Sequence, residues 1–385
     1  MLQVNKNTLY YFAYAIYIIS ITTEYMQVSH FVKVVLATIS LFILLFEFTV
    51  FICNTNVVKK DFLKKLFLLF FFVFCAFISN DYFILMLVLF ALCATKKINI
   101  DTLLKITMFC LISITLLVVF LCMTNLIPNV STPRYLGSGD RFAYGFSHSQ
   151  NLSLISFYVL FCYITLQKRV CLVTIIVSTC YFYILYLICD SRTFFYSVIL
   201  FDLFVIIYFI GKKILKVNLN CNFYNFIFTT IVLYICTNFI LLLLYKFDIS
   251  AVDWIDKIVT TRISAPLKTI NLDQLSILSN LSYTEFVTSL RSTMDNGYYY
   301  VLYRYGYLYL LFLLYSIFLL LKNFKNSNNI FGGIFLLITC ISFSFAATFS
   351  LFLPFFIISF IQLKFGYNKM HIFTLKQNIY IHNAK

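Results

Sequence analysis

The sequence predicts an all-α, polytopic transmembrane helix bundle of about 12 spans, and three observations predict it. Hydrophobic residues make up 62% of the chain and charged residues 11%, with a mean hydropathy of +0.93. Such a composition cannot supply a water-facing surface around one buried core. Apolar runs of about 15 to 21 residues, the length a helix needs to cross lipid, recur from one end of the chain to the other. The polar breaks between them leave little room for a separate folded module, so residues 1–385 are read as a single integral membrane domain. Finally, the net charge of +15 is scattered in short clusters at the ends of apolar runs. That distribution speaks for topology and against a nucleic-acid-binding face.

Taken in order, the expected spans are 8–23, 34–53, 62–79, 82–95, 103–123, 150–167, 170–189, 193–211, 225–245, 297–321, 330–347 and 349–364. The first run could pass for a signal-peptide core, but Glu24 and Tyr25 follow it with no small-residue cleavage pattern, so it is kept as a span. The pairs 62–95 and 330–364 read as tight hairpins of short helices, broken at Ser79-Asn80-Asp81 and near Ala346 to Ser350. All the cysteines except Cys221 sit in or beside apolar runs and read as small hydrophobes, not as disulfide partners or metal ligands.

Placing both termini in the cytoplasm of a bacterial cell puts Lys59, Lys60, Lys64, Lys65, Lys96, Lys97, Lys105, Lys168, Lys212, Lys213, Lys322 and Lys325 inside, as the positive-inside tendency prefers. Two long external loops result, about 124–149 and about 246–296, both expected to carry short interfacial helices. In the second, Trp254, Ile255, Ile258, Ile263 and Leu267 alternate with charges as an amphipathic helix lying in the interface would. No inside loop exceeds a dozen or so residues, and neither a Walker nor a dinucleotide fingerprint occurs. Chemistry driven by cytosolic ATP or a nucleotide sugar is therefore not expected, and neither a cofactor nor a metal site is read from the chain.

The two basic residue types divide differently. On this topology 18 of the 22 lysines fall inside, whereas Arg134, Arg141, Arg192, Arg262, Arg291 and Arg304, six of the seven arginines, fall outside. Charge-driven insertion treats the two alike. Arginine's permanently charged planar fork suits phosphate or carboxylate, so its selection points to anion recognition on the outer face. The competing reading pairs these arginines with Asp140, Asp190, Asp295 or anionic lipid head groups. Arg192 and Arg304 stand at the outer ends of spans, where a cation needs a wet or paired setting. Glu47 and Asp202 lie inside the second and eighth spans, either as hydrogen-bonding links between helices or as coupling groups of a transporter.

Several motifs follow one another in a set order. Arg141-Phe-Ala-Tyr-Gly-Phe-Ser-His148-Ser-Gln-Asn151 opens the sixth span, and Asp190-Ser191-Arg192-Thr193 joins the seventh to the eighth. Trp254 to Arg262 comes next, then Asp295-Asn296-Gly297-Tyr298 and Tyr305-Gly306-Tyr307-Leu308. Over about residues 130 to 310 this order and topology resemble the Wzy-type polysaccharide polymerases, relatives of the O-antigen ligases. Where that family usually has a proline and an asparagine soon after the histidine, this chain has Ser149-Gln150-Asn151.

The resemblance implies a metal-independent glycosyltransferase that joins polyprenyl-diphosphate-linked oligosaccharide repeats into capsular, exo- or O-antigen polysaccharide outside the plasma membrane. Membrane lipid would be its surroundings, flippase and chain-length-regulating proteins its candidate partners, and nucleic acid no partner. A sugar hydroxyl attacks the anomeric carbon of the growing chain and expels polyprenyl diphosphate, whose developing charge prepositioned guanidinium groups can stabilise. Arg141 and Arg192 are the catalytic candidates for that task, with Arg291, Arg304 and Arg262 as substrate-binding candidates and Arg134 after them. His148 is the expected base, with Asp295 or Asp190 as substitutes, and the plainer role of His148 is to cap the sixth helix. Asn151 and Tyr300 complete the substrate-binding set, Tyr300 because helical spacing would put it on one face with Arg304 and Tyr307. A ligase moving finished glycan to another acceptor, or a lipid-linked oligosaccharide flippase, are the alternatives.

Overall fold

A computed structural model describes residues 6–27, 30–54, 82–95, 98–133, 140–167, 170–215, 220–247, 252, 254, 256, 296–345, 354–355, 357–359 and 361. Eleven helices and one two-stranded hairpin are seen among them. In chain order they are α1 (Lys6–Thr23), α2 (His30–Asn54), α3 (Tyr82–Cys93), α4 (Ile100–Met123), β1 (Ser131–Pro133), β2 (Asp140–Phe142), α5 (Asn151–Gln167), α6 (Leu172–Cys189), α7 (Arg192–Leu215), α8 (Asn220–Lys246), α9 (Gly297–Tyr305), α10 (Tyr307–Asn326) and α11 (Ile330–Phe343). The expected span at 62–79 lies outside the described residues, as does most of 349–364.

Among the described residues six helical segments are long and apolar enough to cross a membrane: Phe31–Thr49, Ile100–Met123, Leu172–Cys189, Arg192–Lys212, Phe223–Tyr245 and Tyr307–Asn326. Their outward faces carry exposed leucine, isoleucine, valine and phenylalanine, such as Phe42, Phe46, Leu116, Phe120, Val177 and Ile207, as lipid contact demands. α5 and α11 are shorter and apolar. α11 is instead buried over almost its whole length, so it serves as the packing centre of the C-terminal half. It touches α5, α7, α8 and α10, while α6 packs on α5 and α7.

The N-terminal half is organised around α1, which contacts α2, α3 and α4. Tyr10, Tyr14 and Tyr17 line one side of α1 and converge on Phe90 of α3 at ring-centroid distances of 5.5, 5.6 and 5.2 Å. Their hydroxyls are accommodated inside the bundle. Tyr10 donates to the Phe90 carbonyl, and the Tyr14 hydroxyl lies 2.8 Å from the Thr107 hydroxyl on α4. α4 then packs on α5 and joins the two halves.

Two expectations are corrected. The tenth span does not run unbroken from 297 to 321. Gly306 adopts φ 85° and ψ 179°, a conformation open to glycine and closed to most other residues, and it separates α9 from α10. In one straight helix Tyr298 and Leu313 would stand about 22 Å apart. Here Tyr298 of α9 and Leu313 and Ile317 of α10 line the same small apolar cavity, together with Thr339, Cys340 and Phe343, so α9 folds back along α10. Tyr307 accordingly belongs to a different helix from Tyr300 and Arg304, and the expected three-residue stripe does not exist.

The second correction concerns loop 124–149, where an interfacial helix was expected. The described residues form an antiparallel hairpin, with Ser131 opposite Phe142, Thr132 opposite Arg141 and Pro133 opposite Asp140. Asn129 holds its base by accepting from the Tyr144 N–H at 2.8 Å. Gly145, at φ 85°, closes the return onto α4, and a Cβ there would sit 3.0 Å from Val118 and 3.2 Å from the Cys122 Cβ. Alternating polar residues around Pro133 and Gly145 favour this pairing over a helix. In the second loop Val252, Trp254 and Asp256 are helical, with Val252 and Asp256 buried and Trp254 exposed, while Ile255, Ile258, Ile263 and Leu267 lie outside the described residues.

Candidate functional site

Side-chain bonds between sequence-distant residues fix the two ends of the bundle. At one end Asn7 meets Thr95, Tyr11 meets Asn99, Asn329 meets Thr165 and Lys325 meets Asn225. At the other end the C-terminus of α1 meets the entry to α5: the Ser147 N–H donates to the Tyr25 carbonyl at 2.9 Å, and Met26 bridges to Phe146. The β-hairpin, the α6–α7 junction and the C-terminus of α11 lie at this second end, since β2 packs on α6 and Ser197 of α7 bonds Ser342 of α11.

The hairpin end gathers the motif residues. Arg141 projects from β2, half-buried, and β2 lies against α6. α6 terminates at Asp190, which takes the left-handed conformation (φ 51°, ψ 38°), and this turns the chain directly into α7. Asp190 is buried and forks the Arg192 guanidinium, with Arg192 Nε 3.1 Å from Oδ1 and an Nη 3.4 Å from Oδ2. Arg192 therefore opens α7 as half of an ion pair, with 40% of its side chain exposed. The carboxylate aims the guanidinium, and the exposed remainder leaves donors facing outward.

His148 is exposed just before α5, and its Nδ1 accepts from the Gln150 N–H at 3.2 Å. This is the capping geometry, and it assigns the hydrogen of the neutral ring to Nε2. Asn151 is the first residue of α5. Its amide NH2 donates to the Tyr25 carbonyl at 3.1 Å and to the Ser147 hydroxyl at 3.0 Å, so its donors hold α1 to α5. Tyr300 is 8% exposed on α9 and is packed in the core. Arg304 belongs to the last turn of α9. Arg134, Arg262, Arg291 and Asp295 lie outside the described residues.

Sequence reasoning passed over the polar lock behind α9. Asn296 caps that helix, its Oδ1 accepting from the Tyr298 and Tyr299 N–H groups, while its NH2 donates to Asn238 Oδ1 of α8 at 3.3 Å. The Tyr299 hydroxyl donates to the Asn238 carbonyl at 2.6 Å, and the Tyr298 hydroxyl to the Cys340 carbonyl at 2.9 Å. Gly297 lets this turn lie against α11, since a Cβ there would be 2.8 Å from the Phe343 carbonyl oxygen and ring. The signal was available: Asn238 is the one amide in the long apolar run 226–245, and such a residue seldom sits in lipid without a partner.

Asp202 lies on α7 away from this end. It is 7% exposed, one carboxylate oxygen bonds Thr179 Oγ1 of α6, and the other is buried without a hydrogen-bond partner. Among the described residues no group of three or more His, Cys, Asp or Glu side chains could hold a metal ion. Comparison with family models, curated proteins and solved structures finds no match to this chain, so the chemistry of the hairpin end has to be argued from its own residues.

Proposed function

We propose that this membrane-embedded chain is a glycosyltransferase that polymerises polyprenyl-diphosphate-linked oligosaccharide on the outer face of a bacterial plasma membrane. One observation carries the reading. Arg141, His148, Asn151 and the Asp190–Arg192 pair, separated by up to 51 positions in sequence, come together at the hairpin end, while Lys212, Lys322 and Lys325 mark the helix ends toward the opposite face. In this reading the hairpin end is extracellular. Arg192, aimed by Asp190, and Arg141 on the hairpin meet the departing diphosphate, where a fixed cation in a partly dried cleft lowers the cost of developing charge. Arg304, Arg291 and Arg262 add to the anion site, and Tyr300 supports α9 from within the core. His148 serves as base only if its Nδ1 releases the Gln150 N–H, which an approaching sugar hydroxyl could replace. Asp295 is the substitute base. A ligase using the same donor would place the same residues around another acceptor.

The test is purified protein with synthetic polyprenyl-diphosphate repeat units, scored for chain growth without nucleotide. Growth that disappears in Arg192→Ala supports the reading, and no growth on a competent repeat unit counts against it. A transporter is the second reading, favoured by the buried Asp202–Thr179 pair. It wins if Asp202→Asn abolishes polymer export in cells while Arg192→Ala and His148→Ala leave polymer amount and length unchanged.

A further inference from the structure

Asp202 stands ten residues from either end of the span Arg192–Lys212, so about 15 Å of helix separates it from each end. That is the midplane of a hydrocarbon core about 30 Å thick. Its side chain is buried, Oδ2 hydrogen-bonds Thr179 Oγ1 of α6, and Oδ1 has no hydrogen-bond partner. Ser149, Ser153, Ser191 and Ser344 also bury hydroxyls without partners, and each forgoes one neutral hydrogen bond. A bare carboxylate oxygen at the midplane is far more costly, because it brings charge into lipid.

Among the described residues no neighbouring charge relieves it. The helices packed most closely on α7 are α11, α6 and α5, and none of the three contains a lysine, arginine, histidine, aspartate or glutamate. Their titratable groups are tyrosines and cysteines, which are neutral at ordinary pH. α8 meets α7 where Phe223 packs on Tyr208, and its one charged residue, Lys246, is at the opposite end of that helix. On α7 itself the nearest cations are Arg192, already paired with Asp190, and Lys212. Counting hydrogens points the same way. Thr179 Oγ1 lies 2.9 Å from the Ile175 carbonyl one turn back in α6, and a carbonyl can only accept. A threonine hydroxyl has one hydrogen, so with that hydrogen on Ile175 the bond to Asp202 takes its hydrogen from the carboxyl. Asp202 is then a neutral acid, Oδ1 is its carbonyl oxygen, and no charge is buried.

We propose that Asp202 is a proton-binding site at the middle of the membrane and that the bound proton braces α6 to α7. A metal cation does not suit the place: Mg2+ or Ca2+ gathers about six oxygens or more, and here one carboxyl meets one hydroxyl. A proton needs one donor and one acceptor. The brace lies eleven residues before Asp190 on α6 and twelve after it on α7, so it ties together the two arms of the hairpin whose turn holds Arg192. Release of the proton leaves a charge facing Thr179, and the arms part or admit water. The site goes beyond the glycosyltransferase reading and stands whether or not that reading does.

The experiment is infrared spectroscopy on the purified full chain in detergent. At neutral pH the spectrum of wild type minus that of Asp202→Asn shows the C=O stretching band of a protonated carboxyl, lost in the variant. Thr179→Val shifts that band to higher frequency, as an acid that loses its acceptor does. Asp202→Asn should elute as folded protein, because its NH2 can donate to Thr179 as the acid does. If it does not, the shift of the band between wild type and Thr179→Val reads the same group. A difference spectrum with only carboxylate stretches, from mildly acidic to mildly alkaline pH, means an ionised Asp202 and overturns the site. A protonated band that Thr179→Val leaves in place overturns the brace. A band that disappears when sodium or magnesium is added at constant pH gives the oxygens to a metal cation and overturns the proton.

Discussion

The two ends of this bundle differ in how many of their buried polar groups find a partner. At the lysine end Asn329 and Tyr224 close structural gaps: Asn329 accepts from the Gly332 N–H at 2.9 Å and donates to the Thr165 carbonyl at 2.8 Å, and the Tyr224 hydroxyl donates to the Phe324 carbonyl at 3.0 Å. At the hairpin end, by contrast, serines are buried without partners, an arginine stands half in solvent, and a glycine break turns α9 back along α10. The contrast is one of degree, since among the described residues the Thr165 hydroxyl at the lysine end is also buried without a hydrogen-bond partner. A membrane protein gains nothing in stability from leaving a buried hydroxyl unpaired.

The largest expected effect falls on the contact that seats α9. A Cβ at Gly297 would overlap the Phe343 carbonyl oxygen at 2.8 Å, and backbone cannot swing aside as a side chain can. Gly297→Ala should therefore cost about 2–3 kcal/mol or unseat α9. The matched substitution toward the lysine end is Gly333→Ala, whose Cβ meets the Tyr224 ring at 3.3 Å and Ile227 at 3.4 Å. It should cost well under about 1 kcal/mol. Heat-induced loss of the folded chromatographic peak ranks the two, and an equal loss for both would erase the contrast.

A smaller effect is expected at the lysine end. Asn329→Ala removes a helix cap and an interhelical bond together, and should destabilise by about 1–2 kcal/mol while leaving any glycan chemistry intact. Arg192→Ala is its mirror image. The pair with Asp190 is partly exposed, so after screening it is worth at most about 0.5–1 kcal/mol to stability. Product formation should nevertheless fall by roughly a hundredfold or more if the guanidinium meets developing charge. Measuring melting and chain growth on both variants tests the contrast directly: stability loss belongs to Asn329, activity loss to Arg192.

How much of this was legible depends on the kind of signal. Hydropathy and run length mark each of the described helices within a few residues, because lipid forces every backbone group into a helix and so writes the span into composition. They could not mark the break at Gly306: the run 297–321 is aromatic and aliphatic apart from Arg304 and Ser316, and one glycine in it costs too little to read as an interruption. The hairpin at 131–142 was missed because three-residue strands carry almost no periodicity. At the site, Arg141, Arg192, His148 and Asn151 were visible as charges and motif residues at span ends. The serines were not. A serine in an apolar helix normally bonds back to a carbonyl, and only packing reveals which four fail to do so.

Those serines also give the smallest and most discriminating stability prediction. Ser40 of α2 donates to the Ala13 carbonyl of α1 at 2.9 Å, so Ser40→Ala deletes a buried interhelical bond. A loss of about 1 kcal/mol follows. Ser153→Ala removes a hydroxyl that has nothing to lose, so the unliganded protein should melt at the same temperature or slightly higher. If instead Ser153→Ala melts lower than Ser40→Ala, its hydroxyl is part of the structural framework, and the distinction between a committed end and an available one fails at the residue where it is sharpest.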